Sequence, residues 1–277
     1  TMFLPYLEQA VTFDTYNFSL ASCNAANATS IARKVDQFIC PSNPRGAAPL
    51  QWGYYIAPRG FEAPGPAPAD YALSHGSNGY VAGGHPFGTG GRKSKWPATL
   101  KKSAGAFGVN SSTLFEDFKD GTSKSLAIGE SAGGSRFAPA SARGALVKGD
   151  EPADGTDATK VCDQAWAQGF IGDEKGAGGL GSMFAATAWD YSVGGKWFPI
   201  PINELGTSGA RPTYLTRGAA GPDAGGSLPG EYGSIQGYRS FHAGGANIAM
   251  ADGAVMFLSQ SIDAAVLANL GTIAGGD

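Results

Sequence analysis

At 277 residues the chain is long enough to bury a substantial core, as one large domain or two small ones. Charged residues make up only 16 % and there are 43 glycines, about twice the average usage, which is the composition of a loop-rich, mostly β, secreted-type protein. Glycine and proline follow no strict period, which excludes collagen; 11 % aromatic residues argue against disorder; and a net charge of −3 offers no field for a polyanion, which disfavours nucleic-acid binding.

Residues 2 to 20 predict a short amphipathic helix leading into an extended aromatic segment. Tyr6, Leu7, Ala10 and Val11 share one face, Phe13, Tyr16 and Phe18 follow, and Pro5 suits a first turn. Ile31, Val35, Phe38 and Ile39 then run from a cap at Ser30 toward a strand ending at Cys40, where Pro41 and Pro44 stop regular structure. Gln51 to Ile56 form a strand candidate with Trp52 and Tyr54 on one face, beside an extended loop carrying Pro58, Pro64, Pro66 and Pro68. That aromatic pair is a candidate sugar-stacking platform, although aromatics at strand spacing also serve as core.

Asp70 to His75 lead into a Gly-rich loop containing His85. No carboxylate or thiolate companion is suggested by spacing for either histidine, and both read as surface residues. The cluster Arg92, Lys93, Lys95, Lys101 and Lys102 reads as a solvated loop. Thr113-Leu114-Phe115 and Asp120-Gly121-Thr122-Ser123 predict a turn of helix and a tight turn ahead of the strand Ser125 to Ile128.

Residues 132 to 238 are the least legible stretch and read as a variable, loop-rich insertion in a single domain spanning 1–277. Asp150, Glu151, Asp154, Asp157 and Asp163 form an acidic loop in which Pro152 and Val161 break the EF-hand spacing, leaving a loose Ca²⁺ site as the one cofactor to consider. Gly176 to Gly181 fit the dinucleotide fingerprint in form, but Lys, Glu and Asp precede it where a buried strand is required. At the C-terminal end Ser261 is the expected helix cap, Ile262, Val266, Leu267 and Leu270 the buried stripe, and Gly271 the stop.

The stretch with the strongest local signal is Ser240 to Leu258. Asp252-Gly253 between two apolar runs predicts a β-hairpin with a two-residue type I′ turn. That register sets Met250 opposite Val255 and Ile248 opposite Phe257 as one core face, with Ala249, Ala251, Ala254 and Met256 on the other, and places the hairpin inside a sheet. His242 and Asp252 then lie at opposite ends of a strand, about 15 Å or more apart, beyond shared metal ligation. Their expected roles are local: Asp252 at the turn, and His242 with the Gly244-Gly245 bend at the chain's approach to the sheet.

Cysteines occur at 23, 40 and 162. A Cys23–Cys40 bridge across the polar segment between them would remove roughly 3 kcal/mol of unfolded-state entropy, so in an oxidising compartment that pair is expected to form a disulfide and Cys162 to stay free and buried. No zinc spacing occurs, and no metal is assigned.

His242, nine residues, then Asp252-Gly253, with Gly244-Gly245 and Asn247 between, resembles the signature of a large family of planctomycete-type bacterial proteins of unassigned function that carry a prepilin-type N-terminal segment. Phe3 to Gln9, Phe38 to Pro44, Phe107 to Ser112 with Asp120 to Ser123 and Gly129-Glu130, and Leu270 to Thr272 with Ala274 to Asp277 resemble its other blocks, in order. The resemblance implies a pilin-like α+β fold, mostly β, with an antiparallel sheet, an N-terminal helix and long Gly-rich loops, and a chain that begins in mid-block with a hydrophobic helix upstream. It also implies an extracellular or cell-surface location and membrane attachment only through that upstream helix.

No catalytic motif of the G-x-S-x-G, P-loop or H-E-x-x-H type is present. The expected function is a non-catalytic structural subunit resembling a pilin or pseudopilin head, assembling with itself or with other envelope proteins. The alternative is a carbohydrate- or solute-binding module of the envelope using Trp52 and Tyr54.

Overall fold

The computed structural model of the chain describes residues 2–20, 24–44, 66–77, 80–82, 104–108, 111–133, 164–167, 183–191, 196–203, 232–234 and 237–276. Among these the architecture is mostly β. The strands are β1 (Pro68–Ala69), β2 (Tyr71–Gly76), β3 (Tyr80–Ala82), β4 (Leu126–Glu130), β5 (Gln164–Ala165), β6 (Phe184–Ala186), β7 (Ala188–Tyr191), β8 (Lys196–Pro199), β9 (Tyr232–Ser234), β10 (Gly245–Met250) and β11 (Val255–Ser259). The α-helices are short: α1 (Ala10–Asp14), α2 (Ala28–Ile31) and α3 (Ala264–Leu270).

A five-stranded sheet in the order β11-β10-β4-β2-β6 organises these elements, with two-stranded ladders β1-β5, β3-β9 and β7-β8 around it. The sheet is mixed, which corrects the expected antiparallel one: β2 and β6 run parallel. A parallel neighbour must arrive by a long connection, and the stretch between Gly76 and Phe184 provides it. β2 itself covers residues read from sequence as the lead into a loop. Ser74 and His75 are buried in it, His75 edge-on to Phe184 with ring centroids 5.6 Å apart, so the expectation of a surface histidine is corrected at His75. His85 lies outside the described residues.

One face of the sheet is closed by α3 and by Tyr238. Ala72, Leu126, Ala185, Ala246, Ile248 and Met250 pack there with Tyr238 and Leu267. Full burial of a side chain such as Ile248 stabilises by about 1.5–3 kcal/mol. A Cβ on Gly129 would lie 2.5 Å from both Ile248 Cδ1 and Tyr238 Cδ1, so the absence of a side chain there lets these two close over β4. Helix α3 starts at Asp263, not at the expected Ser261: the Asp263 carboxylate accepts from Ala265 N at 2.9 Å and Val266 N at 3.2 Å. Leu267 is buried, but Val266, expected in the stripe, is exposed.

A second core cluster gathers Leu4, Ile31, Val35, Ala67, Ala69, Ala165 and Trp166. Trp166 donates its indole N–H to Arg33 O at 2.9 Å, which satisfies the polar end of an otherwise buried ring. The N-terminal stretch feeds this cluster as broken turns and not as the expected amphipathic helix. A 3₁₀ turn at Leu4–Leu7 ends at Glu8, whose φ of 59° is left-handed, and α1 starts afresh two residues later. The break resets the helical phase, so Tyr6 is 86 % and Val11 65 % exposed, while Leu4 points inward. Residues 30–40 likewise form helical turns at Ala28–Ile31 and Asp36–Phe38 in place of the expected strand.

The hairpin β10–β11 forms, in a register one residue away from the expected one. Gly253 N donates to Met250 O at 3.0 Å and Met250 N to Ala254 O at 2.8 Å, so the loop is Ala251-Asp252-Gly253, with Gly253 at φ +88°. Ile248 therefore faces Met256, and Asn247 faces Phe257. A slip of one residue exchanges the two faces of a strand, which turns Val255 and Phe257 out of the expected core. The hairpin is also not wholly internal among the described residues: β10 lies between β11 and β4, but β11 is an edge.

At the turn, Asp252 Oδ1 accepts from Ala254 N at 2.9 Å. Asn keeps that acceptor, so Asp252→Asn is expected to change stability by less than about 0.5 kcal/mol. A Cβ at Gly253 meets nothing within 4 Å, so Gly253→Val is disfavoured by backbone conformation alone, at about 1–2 kcal/mol. Thermal unfolding of the two variants checks this, and a larger loss for Asp252→Asn than for Gly253→Val would contradict it.

Candidate functional site

The end of β4 is the point where distant parts of the chain converge. Glu130, its last residue, pairs with Tyr71 of β2. Ile128 and Glu130 of β4 share a sheet face with Tyr71 and Leu73, and with Asn247 and Ala249 of β10, opposite the face that α3 covers. Asp70, just before β2, anchors the loop that begins at Cys40. Its carboxylate accepts from Cys40 N at 2.9 Å and from Asn43 Nδ2 at 2.7 Å, and its own N–H donates to Phe38 O at 2.7 Å.

From the other side, the segment before β10 runs along the end of β4. Arg239 N donates to Glu130 O and Ala132 N to Arg239 O, both at 2.9 Å. Asn203 fixes the next turn: its side-chain oxygen accepts from Ser240 N at 2.6 Å and its amide donates to Gly245 O at 3.2 Å. His242 is thereby delivered over Glu130, with its backbone N–H donating to Ser240 Oγ at 3.0 Å.

The result is a cluster of Cys40, Glu130 and His242. Cys40 Sγ lies 3.6 Å from Glu130 Oε1 and 3.8 Å from His242 Nε2, and Nε2 lies 3.2 Å from the same Oε1. The Glu130 side chain is 3 % exposed and that of His242 38 %, so the cluster is buried on the carboxylate side and open on the imidazole side. Asn247 secures the carboxylate from beyond, its N–H donating to Oε2 at 2.8 Å and its Nδ2 to Oε1 at 3.2 Å. A buried carboxylate without such donors would be strongly disfavoured.

Burial pushes the Cys40 thiol above its ordinary value; the backbone hydrogen bond at Ser42 opposes the rise and the Glu130 charge adds to it. Tyr71 alongside is pushed up to about 12, by burial first and then by Cys40, Glu130 and Asp70. Thiol and phenol are thus both held neutral around one carboxylate. His242 offers the same nitrogen to Cys40 and to Glu130. A nucleophile–base–carboxylate relay needs one imidazole nitrogen for each partner, so this is not a triad of that kind. A thiol, a carboxylate and an imidazole within reach of one point are instead a set of metal-ligand types.

The family model described as a protein of unknown function (DUF1559) matches residues 1–265. The chain belongs to that family. No curated protein and no solved structure matches it. In this DUF1559 chain the stretches singled out in the sequence meet in space: Cys40 from the Cys-Pro-Ser stretch, Glu130 from Gly129-Glu130, and His242 and Asn247 from the stretch ending at Asp252-Gly253. Asp120 does the same for the C-terminal residues, accepting from Gly275 N at 2.7 Å and Gly276 N at 3.0 Å.

The remaining expectations divide. Cys40 is a free, buried thiol turned toward Glu130 and His242, and the expected bridge to Cys23 is not seen; Cys23 itself, Cys162, Trp52, Tyr54 and the acidic loop at 150–163 lie outside the described residues. Asp252 sits at the hairpin turn, and Gly244 bends at φ +82°. Glu130, Asp70 and Tyr71 were not singled out as site residues. The available signal was a carboxylate closing an apolar strand, a residue type that is seldom buried without partners.

Proposed function

We propose that this chain is a non-catalytic structural subunit of the cell surface or extracellular space, resembling a pilin or pseudopilin head, that assembles with copies of itself through β11. The observation that carries the reading is the state of that edge. Val255 is 71 % and Phe257 49 % exposed, and they share a face with the half-buried Ile128, Leu73 and Tyr71. Edge strands are ordinarily blunted by charge, proline or a covering element, and β11 (Val-Met-Phe-Leu-Ser) contains neither a charge nor a proline. An antiparallel edge is complementary to itself, so a second copy can continue the sheet about a two-fold axis while covering the apolar side chains.

The cluster at Glu130 is not laid out as a nucleophile–base–carboxylate relay, since Cys40 and Glu130 meet the same imidazole nitrogen. Attachment to a membrane would come through the upstream helix that the resemblance implies. Sedimentation velocity over a range of concentrations tests the reading. The chain is expected to self-associate, and Val255→Lys with Phe257→Lys is expected to weaken association by more than about tenfold while leaving the thermal midpoint nearly unchanged. A chain that stays monomeric throughout, or association unaltered by the double substitution, would overturn it.

A further inference from the structure

Cys40, Glu130 and His242 bring three metal-ligand atoms within 4.8 Å of one another. The edges of this triangle are 3.6 Å from sulfur to oxygen, 3.8 Å from sulfur to nitrogen and 3.2 Å from nitrogen to oxygen. The thiol proton can serve only one of the two edges that meet at sulfur, and Nε2 can donate to Glu130 or accept from Cys40 but not both at once. A tetrahedral ion with bonds of about 2.3 Å to sulfur and about 2.0–2.1 Å to nitrogen and oxygen requires edges of about 3.5–3.6 Å from sulfur to either atom and about 3.3–3.4 Å from nitrogen to oxygen. The three ligand atoms therefore already lie near one face of a metal-centred tetrahedron.

We propose that Cys40 Sγ, Glu130 Oε1 and His242 Nε2 bind one divalent transition-metal cation of the zinc type, with the fourth position facing the exposed side of His242. The surroundings fit that use. Asn247 holds the carboxylate from behind through two hydrogen bonds, Asp70 holds Cys40 through its backbone N–H, and Asn203 holds the turn that carries His242. Outer partners of this kind orient metal ligands and raise affinity. Thiolate with imidazole selects zinc, cobalt or copper over calcium or magnesium. Binding displaces the thiol proton to solvent and joins three segments that are far apart in sequence, the Cys40 loop, the end of β4 and the turn before β10. The site and the β11 edge proposed for assembly share a sheet face, Asn247 lying opposite Phe257, but none of the three ligands belongs to β11.

The test uses the whole 277-residue chain, reduced and stripped with a chelator, titrated with Co²⁺ and then Zn²⁺. One equivalent of Co²⁺ should produce a thiolate-to-cobalt charge-transfer band, one equivalent of Zn²⁺ should abolish it, and excess Zn²⁺ should raise the thermal midpoint by about 5–10 °C at a hundredfold excess over Kd. His242→Ala should weaken Zn²⁺ binding by about tenfold or more, and Cys40→Ser should remove the band. Should Cys40→Ser fail to fold, the Cys23→Ser, Cys162→Ser double variant keeps Cys40 as the sole thiol and should retain the band. Absence of the band in the unaltered chain or in that double variant, or Zn²⁺ affinity indifferent to His242→Ala, overturns the proposal.

Discussion

Glu130→Ala is expected to lower the thermal midpoint by about 6–12 °C, corresponding to about 3 kcal/mol. The carboxylate accepts from Asn247 N, Asn247 Nδ2 and the Cys40 thiol and faces His242 Nε2, all at the end of a strand with only 2 % of its surface exposed. Alanine removes every one of these acceptors. The Asn247 backbone N–H points into the site and has no second acceptor among the described residues, and an orphaned buried donor costs about 1–3 kcal/mol. Glu130→Gln keeps one acceptor oxygen of the same shape and should lose less than half as much. Thermal unfolding of the pair reads the difference, and equal losses would mean that the volume of the side chain, not its acceptors, matters at this position.

The second large effect is expected at Gly245. A Cβ there would fall onto the carbonyl oxygen of Leu258 on the paired strand, with Phe257 Cε1 and Cζ at 2.8 Å. The obstacle is backbone held in the hairpin ladder, which cannot swing aside as a side chain can. Gly245→Ala should therefore cost about 3 kcal/mol, a fall of roughly 6–12 °C, and loosen β11. Gly244 is the internal control. It has φ +82° and open space where a Cβ would be, so Gly244→Ala bears only the conformational penalty of about 1–2 kcal/mol. Calorimetry of both variants, with amide exchange of Val255 to Ser259, distinguishes the two causes. Equal midpoints, or β11 amides protected as in the unaltered chain, would rule out the close-approach argument.

The adjacent glycines illustrate how much could be read without coordinates. A Gly-Gly bend before an apolar strand was legible, as were the hairpin, the β4 strand and the C-terminal helix, because each depends on neighbours in sequence: positive φ at a turn, period 2 in a strand, a stripe and stop in a helix. That Gly244 needs its conformation and Gly245 its lack of a side chain was not legible, because the oxygen that excludes a Cβ belongs to Leu258. The hairpin register failed for a related reason. Asp252-Gly253 suits a two-residue loop and also a three-residue loop with Gly253 left-handed, and what differs is which β11 residues join Ile248 on the face under Tyr238 and α3: Leu258, not Phe257, packs there, a long-range term.

The amino-acid sequence by itself determined the mostly β, glycine-rich character of this DUF1559 chain and the local turns, since composition and short-range sterics act within a few positions. Tertiary structure alone decided that Cys40, Glu130 and His242 share one site. Each of these side chains lacks a partner at any informative spacing, and their meeting depends on the ladder that pairs β4 with β2 and β10 and on the hydrogen bonds of Asp70, Asn203 and Arg239 that bring the flanking loops to its end. A buried charge cluster is specified by what surrounds it, and here what surrounds it comes from the two ends and the middle of the chain.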